Sequence, residues 1–126
     1  MPNIDRDKLL DLHEELTNEA RDLMTRKNHD YTDGSEGGDP FKNFNLAEHA
    51  GLCDAETGIT VRLLDKVSRI ITYIDGNELK VEDEGFHDTI LDLINYAVLL
   101  YGRNLERKDN LNSGDSVSKS FGDGDK

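Results

Sequence analysis

Four polar side chains recur at helical spacing along the last long apolar segment of this sequence. They are separated by four, four and three residues, which places them on one stripe of a helix: Glu84, Asp88, Asp92 and Asn95. Apolar residues surround most of that helix, so we expect a central position in which clustered carboxylates repel one another and lose hydration. Mg²⁺ would relieve this repulsion, since it prefers carboxylate oxygens and is shared readily with substrate phosphates. The stripe therefore predicts a Mg²⁺ site formed by Asp88 and Asp92. Glu84 equally suits the first turn of the helix, where an acid stabilises the helix dipole. Asn95 equally suits a buried hydrogen bond.

Basic side chains lie on the preceding amphipathic helix, on the face opposite its apolar stripe. That face carries Arg62, Asp65, Lys66 and Arg69. One interpretation is a solvated surface with ordinary i,i+4 electrostatics, which the spacing alone slightly favours. The other is a strip that binds phosphate groups, with Asp65 added to the metal ligands. A chain with this much negative charge has few other clusters of basic residues, which supports the second interpretation.

Three aromatic residues lie in and beside one polar loop, next to a basic pair at a predicted helix end. The aromatic residues are Tyr31, Phe41 and Phe44, and Lys27 belongs to the basic pair. An aromatic ring and a cation at a loop edge suit stacking on a nucleobase and pairing with a phosphate. The basic pair can alternatively satisfy the last carbonyl groups of its own helix.

Helices must position these residues. Apolar periodicity predicts helices over residues 5–27, about 44–52, 60–75 and 83–105, with a long loop over 28–43 and no strand of convincing alternation. We therefore expect an all-α bundle of about four helices, with one domain over residues 1–107. Residues 108–126 are rich in Gly, Ser, Asp and Asn, which predicts a disordered tail.

Composition narrows the possible functions. The net charge is −12, and such a surface repels nucleic-acid backbones and anionic membranes, so we expect neither as a direct partner. Cys53 is the only cysteine, which excludes an intramolecular disulfide and thiolate cages for zinc. With 35% apolar residues the chain has little apolar surface to spare, so a core completed by a partner subunit would be economical. The first residues lack the apolar centre of a signal peptide, which favours a cytoplasmic protein.

Four ordered motifs together resemble a known family. They are Lys27-x-x-Asp30-Tyr31, Asp39-Pro40-Phe41-x-Asn43-Phe44, Arg62-x-x-Asp65-Lys66-x-x-Arg69-Ile70 and Glu84-x-x-x-Asp88-Thr89-x-x-Asp92-Leu93-x-Asn95-Tyr96-Ala97. The set, over about residues 10–101, resembles the nucleotide modification associated domain 1 family, which is found largely in bacteriophages. That family looks like an outlying relative of the all-α nucleoside triphosphate pyrophosphohydrolases, which include the MazG proteins and the dimeric dUTPases.

The resemblance implies a Mg²⁺-dependent attack of water on the α-phosphorus of an NTP or dNTP, modified or not, that yields a monophosphate and pyrophosphate. It implies catalytic roles for Glu84, Asp88 and Asp92, which would hold the metal with Asp65. Nine motif residues would bind the nucleotide. Phosphates would lie at Lys27, Lys66 and Arg69, Tyr31 or Phe44 would flank the base, and Asp30, Asn43, Arg62 and Asn95 would make other contacts. It also implies a homodimer or higher assembly, in the host cytoplasm if the protein is viral. The alternative is a viral protein that binds and sequesters a nucleotide without catalysis, which the lack of a Glu-x-x-Glu motif favours.

Overall fold

The computed structural model describes residues 3–31, 38–76 and 82–112, without the side chains of 28–31 and 82–84. These residues form four helices: α1 (Arg6–Tyr31), α2 (Lys42–His49), α3 (Ala55–Ile74) and α4 (Glu82–Asn112). No strand occurs within these three ranges, and the predicted all-α class is confirmed. None of the helices so described combines the length and apolar character needed to cross a bilayer.

The ends of α3 follow from local chemistry. The Asp54 side chain caps the helix by accepting a hydrogen bond from the Thr57 backbone N–H at 2.9 Å. This cap starts α3 five residues earlier than the apolar periodicity predicts. At the other end Gly76 has a φ of 84°, a left-handed conformation that glycine adopts without steric cost. The predicted end of this helix next to Asp75 is confirmed.

Helix α4 is central, as its apolar circumference predicts, because it contacts both α1 and α3. It runs antiparallel to α3, with the Phe86 ring stacked on Tyr73 near one end and Arg107 bound to Glu56 near the other. Helix α1 crosses α4 near Ala20, whose carbonyl oxygen accepts a hydrogen bond from Asn95 Nδ2 at 2.9 Å. One face of α4 therefore meets α3 and another meets α1.

Two helices extend beyond their predicted ends. Helix α1 continues to Tyr31, into the predicted loop, and α4 continues to Asn112, so residues 108–112 are helical. The last turns of α4 are held by Arg107, which donates to Glu56 and Glu48. The predicted disordered tail over residues 108–126 is therefore wrong for residues 108–112. Residues 113–126 lie outside the described ranges.

The apolar core of the described chain is small. The buried apolar residues are Ala20, Ala55, Ile59 and Leu91. Close contact between α2 and α3 partly compensates for the small core. At Gly58 of α3, an added Cβ would lie only 3.2 Å from the Phe44 ring of α2. Glycine at this position therefore lets α2 approach α3 and sets the place of the Phe44 ring.

We expect Gly58→Val to lower the free energy of unfolding by about 1–3 kcal/mol, because its methyl groups would overlap the Phe44 ring. The matched control is Gly102→Ala in α4, where a Cβ meets Phe41 at an ordinary 3.5 Å. We expect the free energy of unfolding of that control to rise by up to about 1 kcal/mol, because alanine has a higher helix propensity than glycine. Urea unfolding measures both values. A Gly58→Val variant as stable as the wild type would contradict the close α2–α3 contact.

Candidate functional site

One cavity of about 400 Å³ lies between the end of α1, the start of α2 and the facing sides of α3 and α4. We call it the central pocket. It is lined by Met24, Lys27, Asp39, Pro40, Lys42, Asn43, Phe44, Arg62, Asp92, Asn95, Tyr96 and Leu99. Its volume falls within the range of pockets that hold small-molecule ligands.

The charge of the pocket differs from that of the chain. The described residues of its lining include three cations (Lys27, Lys42, Arg62) and two carboxylates (Asp39, Asp92), a net charge of +1. The whole chain carries −12. An anion is therefore drawn to this cavity and repelled by most of the remaining surface.

Asp92 stands between two lysines on the pocket wall. Its Oδ1 lies 3.6 Å from Lys27 Nζ, and its Oδ2 lies 3.3 Å from Lys66 Nζ. The Lys66 side chain is only 18% exposed, whereas that of Lys27 is 45% exposed. Lys66 thus acts as the less exposed counter-ion of Asp92, and Lys27 has the freedom to turn towards a ligand.

Arg62 and Tyr96 form a second polar element of the wall. Arg62 Nε donates to the Tyr96 hydroxyl at 3.4 Å, and the guanidinium carbon lies 5.9 Å from the ring centroid. The contact links α3 to α4 and fixes the orientation of the guanidinium group by hydrogen bonding and cation–π attraction. A guanidinium presents planar, forked donors that match phosphate oxygens.

The loop before α2 is ordered by Asp39. Its carboxylate accepts hydrogen bonds from the Phe41 backbone N–H at 2.9 Å and from Asn45 Nδ2 at 3.1 Å. These contacts direct the chain into α2, so that Asn43 and Phe44 line the cavity. Each oxygen of the Asp39 carboxylate thus accepts one hydrogen bond in this structural role.

The far end of α2 is anchored by an ion-pair cluster of Glu48, Glu56, Arg103 and Arg107. Glu48 accepts from the Ala55 backbone N–H at 2.7 Å, and this bond lowers the pKa of its carboxyl group. Hydrogen bonds from Arg107 lower the pKa of Glu56, and the same bonds raise the pKa of Arg107. The cluster joins α2 and the start of α3 to the last turns of α4, and so holds the α2 wall of the pocket in place.

The structure brings six of the residues proposed from sequence into the central pocket. They are Lys27, Asn43, Phe44, Arg62, Asp92 and Asn95. Lys66 lies behind the wall and reaches the site through Asp92. Asn95 has the hydrogen-bonding role that was its alternative, because its amide nitrogen donates to the Ala20 carbonyl. Its side chain also lines the cavity.

Other proposed residues lie elsewhere. Asp65 and Arg69 are exposed on α3 and do not line the pocket. The expectation that Asp88 is interior is wrong, because its side chain is 70% exposed. Asp88 lies one helical turn, about 5.4 Å, from Asp92, which takes it beyond the two lysines. The side chains of Asp30, Tyr31 and Glu84 lie outside the described set.

The described side chains do not fit a preformed Mg²⁺ cage. Within the parts of the chain that the structure describes, no three His, Cys, Asp or Glu side chains group together to hold a metal ion. Both oxygens of Asp92 instead face lysine ammonium groups, which satisfy the carboxylate electrostatically. Lysine pairing therefore accounts for this acid on a central helix, where the sequence suggested a metal.

Sequence reasoning did not select several pocket residues, among them Lys42, Tyr96 and Leu99. A signal for two of them was present, because Tyr96 and Leu99 follow Asp92 at helical steps of four and three and share its face. The partner of Tyr96 is Arg62, 34 residues away, and no local pattern reveals such a pairing.

Comparisons with family models, with curated proteins and with solved structures found no match to this chain.

Proposed function

We propose that this protein binds a nucleoside triphosphate or a related nucleotide in the central pocket. The observation that carries the proposal is a cationic cavity with aromatic walls in a chain of net charge −12. Phosphate groups would lie against Lys27, Lys42 and Arg62, and the base against Phe44 or Tyr96. Cations paired with aromatic faces suit both halves of a nucleotide.

The pairing around Asp92 supports this arrangement. When a phosphate enters, Lys27 can leave Asp92 and bind a phosphate oxygen, while Lys66 still neutralises the carboxylate. The site then exchanges one charge pair for another and leaves no buried charge uncompensated. Asn95, whose Nδ2 donates to the Ala20 carbonyl, also lines the cavity, and its amide oxygen would accept a hydrogen bond from an N–H group of a base.

Isothermal titration with a panel of NTPs, dNTPs and nucleosides, each with and without Mg²⁺, tests the proposal. We expect saturable binding of triphosphates at one site per chain and much weaker binding of nucleosides, since the phosphates supply the charge-assisted contacts. Assays of pyrophosphate and monophosphate in the same mixtures report any hydrolysis. Equal affinity for a nucleoside and its triphosphate would contradict phosphate recognition.

A second candidate function is Mg²⁺-dependent hydrolysis of the bound nucleotide to a monophosphate and pyrophosphate. One observation favours it: Asp92 lies on the wall beside the proposed phosphate position. An ion that arrives with a triphosphate needs only one or two protein carboxylates. Such an ion would supply charge neutralisation, and the contacts described above do not depend on it.

Asp92→Asn separates the two candidates. Without Mg²⁺ we expect triphosphate affinity to rise roughly fivefold, about 1 kcal/mol, because a negative charge leaves the pocket wall. If Asp92 binds Mg²⁺ in catalysis, the same variant loses turnover. Asp88→Asn is the matched control, with the same charge change one turn away at an exposed position. Weaker triphosphate binding by Asp92→Asn without Mg²⁺ would contradict the phosphate position beside Lys27.

A further inference from the structure

The start of α2 depends on contacts with the rest of the chain. Phe41 precedes the helix, and its side chain makes no hydrogen bond that caps it. Helix α2 has eight residues, none of which is buried, and a helix of this length is not stable in isolation. Tertiary contacts therefore have to fix where α2 begins, and with it the positions of Asn43 and Phe44 in the central pocket.

The Asn45 side chain of α2 makes such contacts in two directions. Its Nδ2 donates to Asp39 Oδ2 at 3.1 Å, and its Oδ1 accepts from Arg103 Nε at 2.9 Å. The other Asp39 oxygen accepts from the Phe41 backbone N–H at 2.9 Å. A continuous series of hydrogen bonds therefore runs from α4 through Asn45 to the segment that leads into α2.

Arg103 is a firmly held anchor for this series. The residue is only 8% exposed, and a buried arginine needs partners. Its Nη2 lies 3.6 Å from Glu48 Oε2, so one guanidinium group contacts two successive turns of α2. Its Nη1 lies 3.7 Å from Glu106 Oε1 and has no hydrogen-bond acceptor among the described residues, which is unfavourable for a buried donor. The observed conformation of Arg103 thus keeps the bond to Asn45 and leaves another of its own donors unsatisfied.

We infer that Asn45 is a positioning residue, which sets the α2 wall of the central pocket by joining Asp39 to Arg103. Asn45 is not among the described residues that line the cavity, so it acts through its neighbours. The Lys42 backbone N–H donates to the Asp39 carbonyl at 3.2 Å, so the segment that Asn45 holds leads directly to Lys42 and Phe44. Both are proposed to contact the nucleotide, and the effect of Asn45 on affinity rests on that proposed function.

Asn45→Asp breaks one end of the series and keeps the other. An oxygen that accepts from Arg103 remains, and its charge strengthens that contact. The donor to Asp39 is replaced by an acceptor, so two carboxylates repel each other and the Asp39 segment is released. We expect isothermal titration with the tightest-binding triphosphate of the panel above to give an affinity about tenfold weaker than that of the wild type. A residue that only stabilised the fold would leave the affinity of the folded protein unchanged.

The matched control is the double variant Asp39→Asn, Asn45→Asp. It exchanges the two partners, so an amide at position 39 donates to a carboxylate at position 45, and the net charge stays at −12. The amide oxygen at position 39 can still accept from the Phe41 N–H. Because substitutions of contacting residues are not additive, we expect the double variant to bind within about twofold of the wild type.

Amide hydrogen exchange of the nucleotide-free proteins is the second measurement. We expect the Phe41 and Lys42 amides, which donate to Asp39, to exchange faster in Asn45→Asp and to regain wild-type rates in the double variant. If wild type binds no triphosphate, the proposed function fails, and these exchange rates alone decide whether Asn45 positions the wall. Equal rates in wild type and Asn45→Asp would overturn the inference.

Two results of the titrations would also overturn it while leaving nucleotide binding intact. One is an Asn45→Asp variant that binds the triphosphate as tightly as the wild type. The other is a double variant that binds no better than Asn45→Asp, since the contact between positions 39 and 45 would then not matter. If Asn45→Asp does not fold, Asn45→Ala takes its place, with the same loss expected and with wild-type affinity as the contradicting result.

Discussion

Replacing Lys27 by methionine is expected to weaken triphosphate binding roughly 10- to 100-fold. A hydrogen bond to a charged group contributes about 1.5–3 kcal/mol, and each 1.4 kcal/mol is a factor of ten in Kd. Lys27→Met removes the ammonium group and keeps an unbranched apolar side chain at the pocket wall. Lys66 remains 3.3 Å from Asp92, so the carboxylate keeps a counter-ion and the fold is preserved. Isothermal titration measures the change in Kd.

Lys8→Met is the matched control for that variant. Lys8 is exposed in the first turns of α1, does not line the pocket, and loses the same charge on substitution. We expect its affinity for triphosphate to stay close to that of the wild type. An equal loss in both variants would assign the effect to the net charge of the chain. Unchanged binding by Lys27→Met would show that phosphates do not bind at this residue.

Replacing Arg107 by glutamine is expected to lower the free energy of unfolding at neutral pH by about 1–2 kcal/mol. Arg107 donates to Glu56 at 2.7–3.0 Å and to Glu48 at 2.6 Å, and these bonds join three helices. The expected loss is smaller than for a fully buried pair because the Arg107 side chain is about a third exposed. Urea unfolding measures the loss, and Lys108→Gln, with the same charge change at an exposed neighbour, should show little effect.

The effect of Arg107→Gln depends on pH with a definite sign. The pKa values of Glu48 and Glu56 lie below the ordinary 4.5 in the folded chain, so each carboxylate stabilises the fold above about pH 4.5. That contribution is lost as the pH falls through the folded-state pKa values and the carboxyl groups take up protons. We therefore expect the stability difference between wild type and variant to be full at neutral pH and to shrink in acid. A difference that stays constant with pH would contradict the ionic account of this cluster.

Much of the helical architecture follows from local sequence patterns. The apolar stripe of α3 and the nearly continuous apolar circumference of α4 predict two long helices, and both exist. The extension of α4 to Asn112 was not predictable in this way, because Arg107 contacts partners 51 and 59 residues earlier in the chain. Local patterns report propensity and amphipathicity, whereas tertiary contacts decide where a helix ends.

The candidate site was likewise predictable only where local patterns determine it. Spacing correctly places Asp88 and Asp92 on one stripe of α4, but it does not reveal what lies opposite each residue. Asp92 meets two lysines from α1 and α3, whereas Asp88, one turn away, faces solvent. A stripe of carboxylates on a helix is therefore insufficient evidence for a metal site, because neighbouring helices can supply cations.

The most direct test of nucleotide binding in the central pocket is an amide NMR titration of the labelled protein with a nucleoside triphosphate. We predict saturable shifts at the backbone amides of Lys27, Phe44 and Asn95, which come from three helices and all line this cavity. The amides of Leu64 and Tyr101, whose side chains are exposed and do not line the pocket, should not move. Spectra that stay unchanged at saturating nucleotide, or shifts confined to residues away from the pocket, would contradict the assignment of this cavity as a nucleotide site.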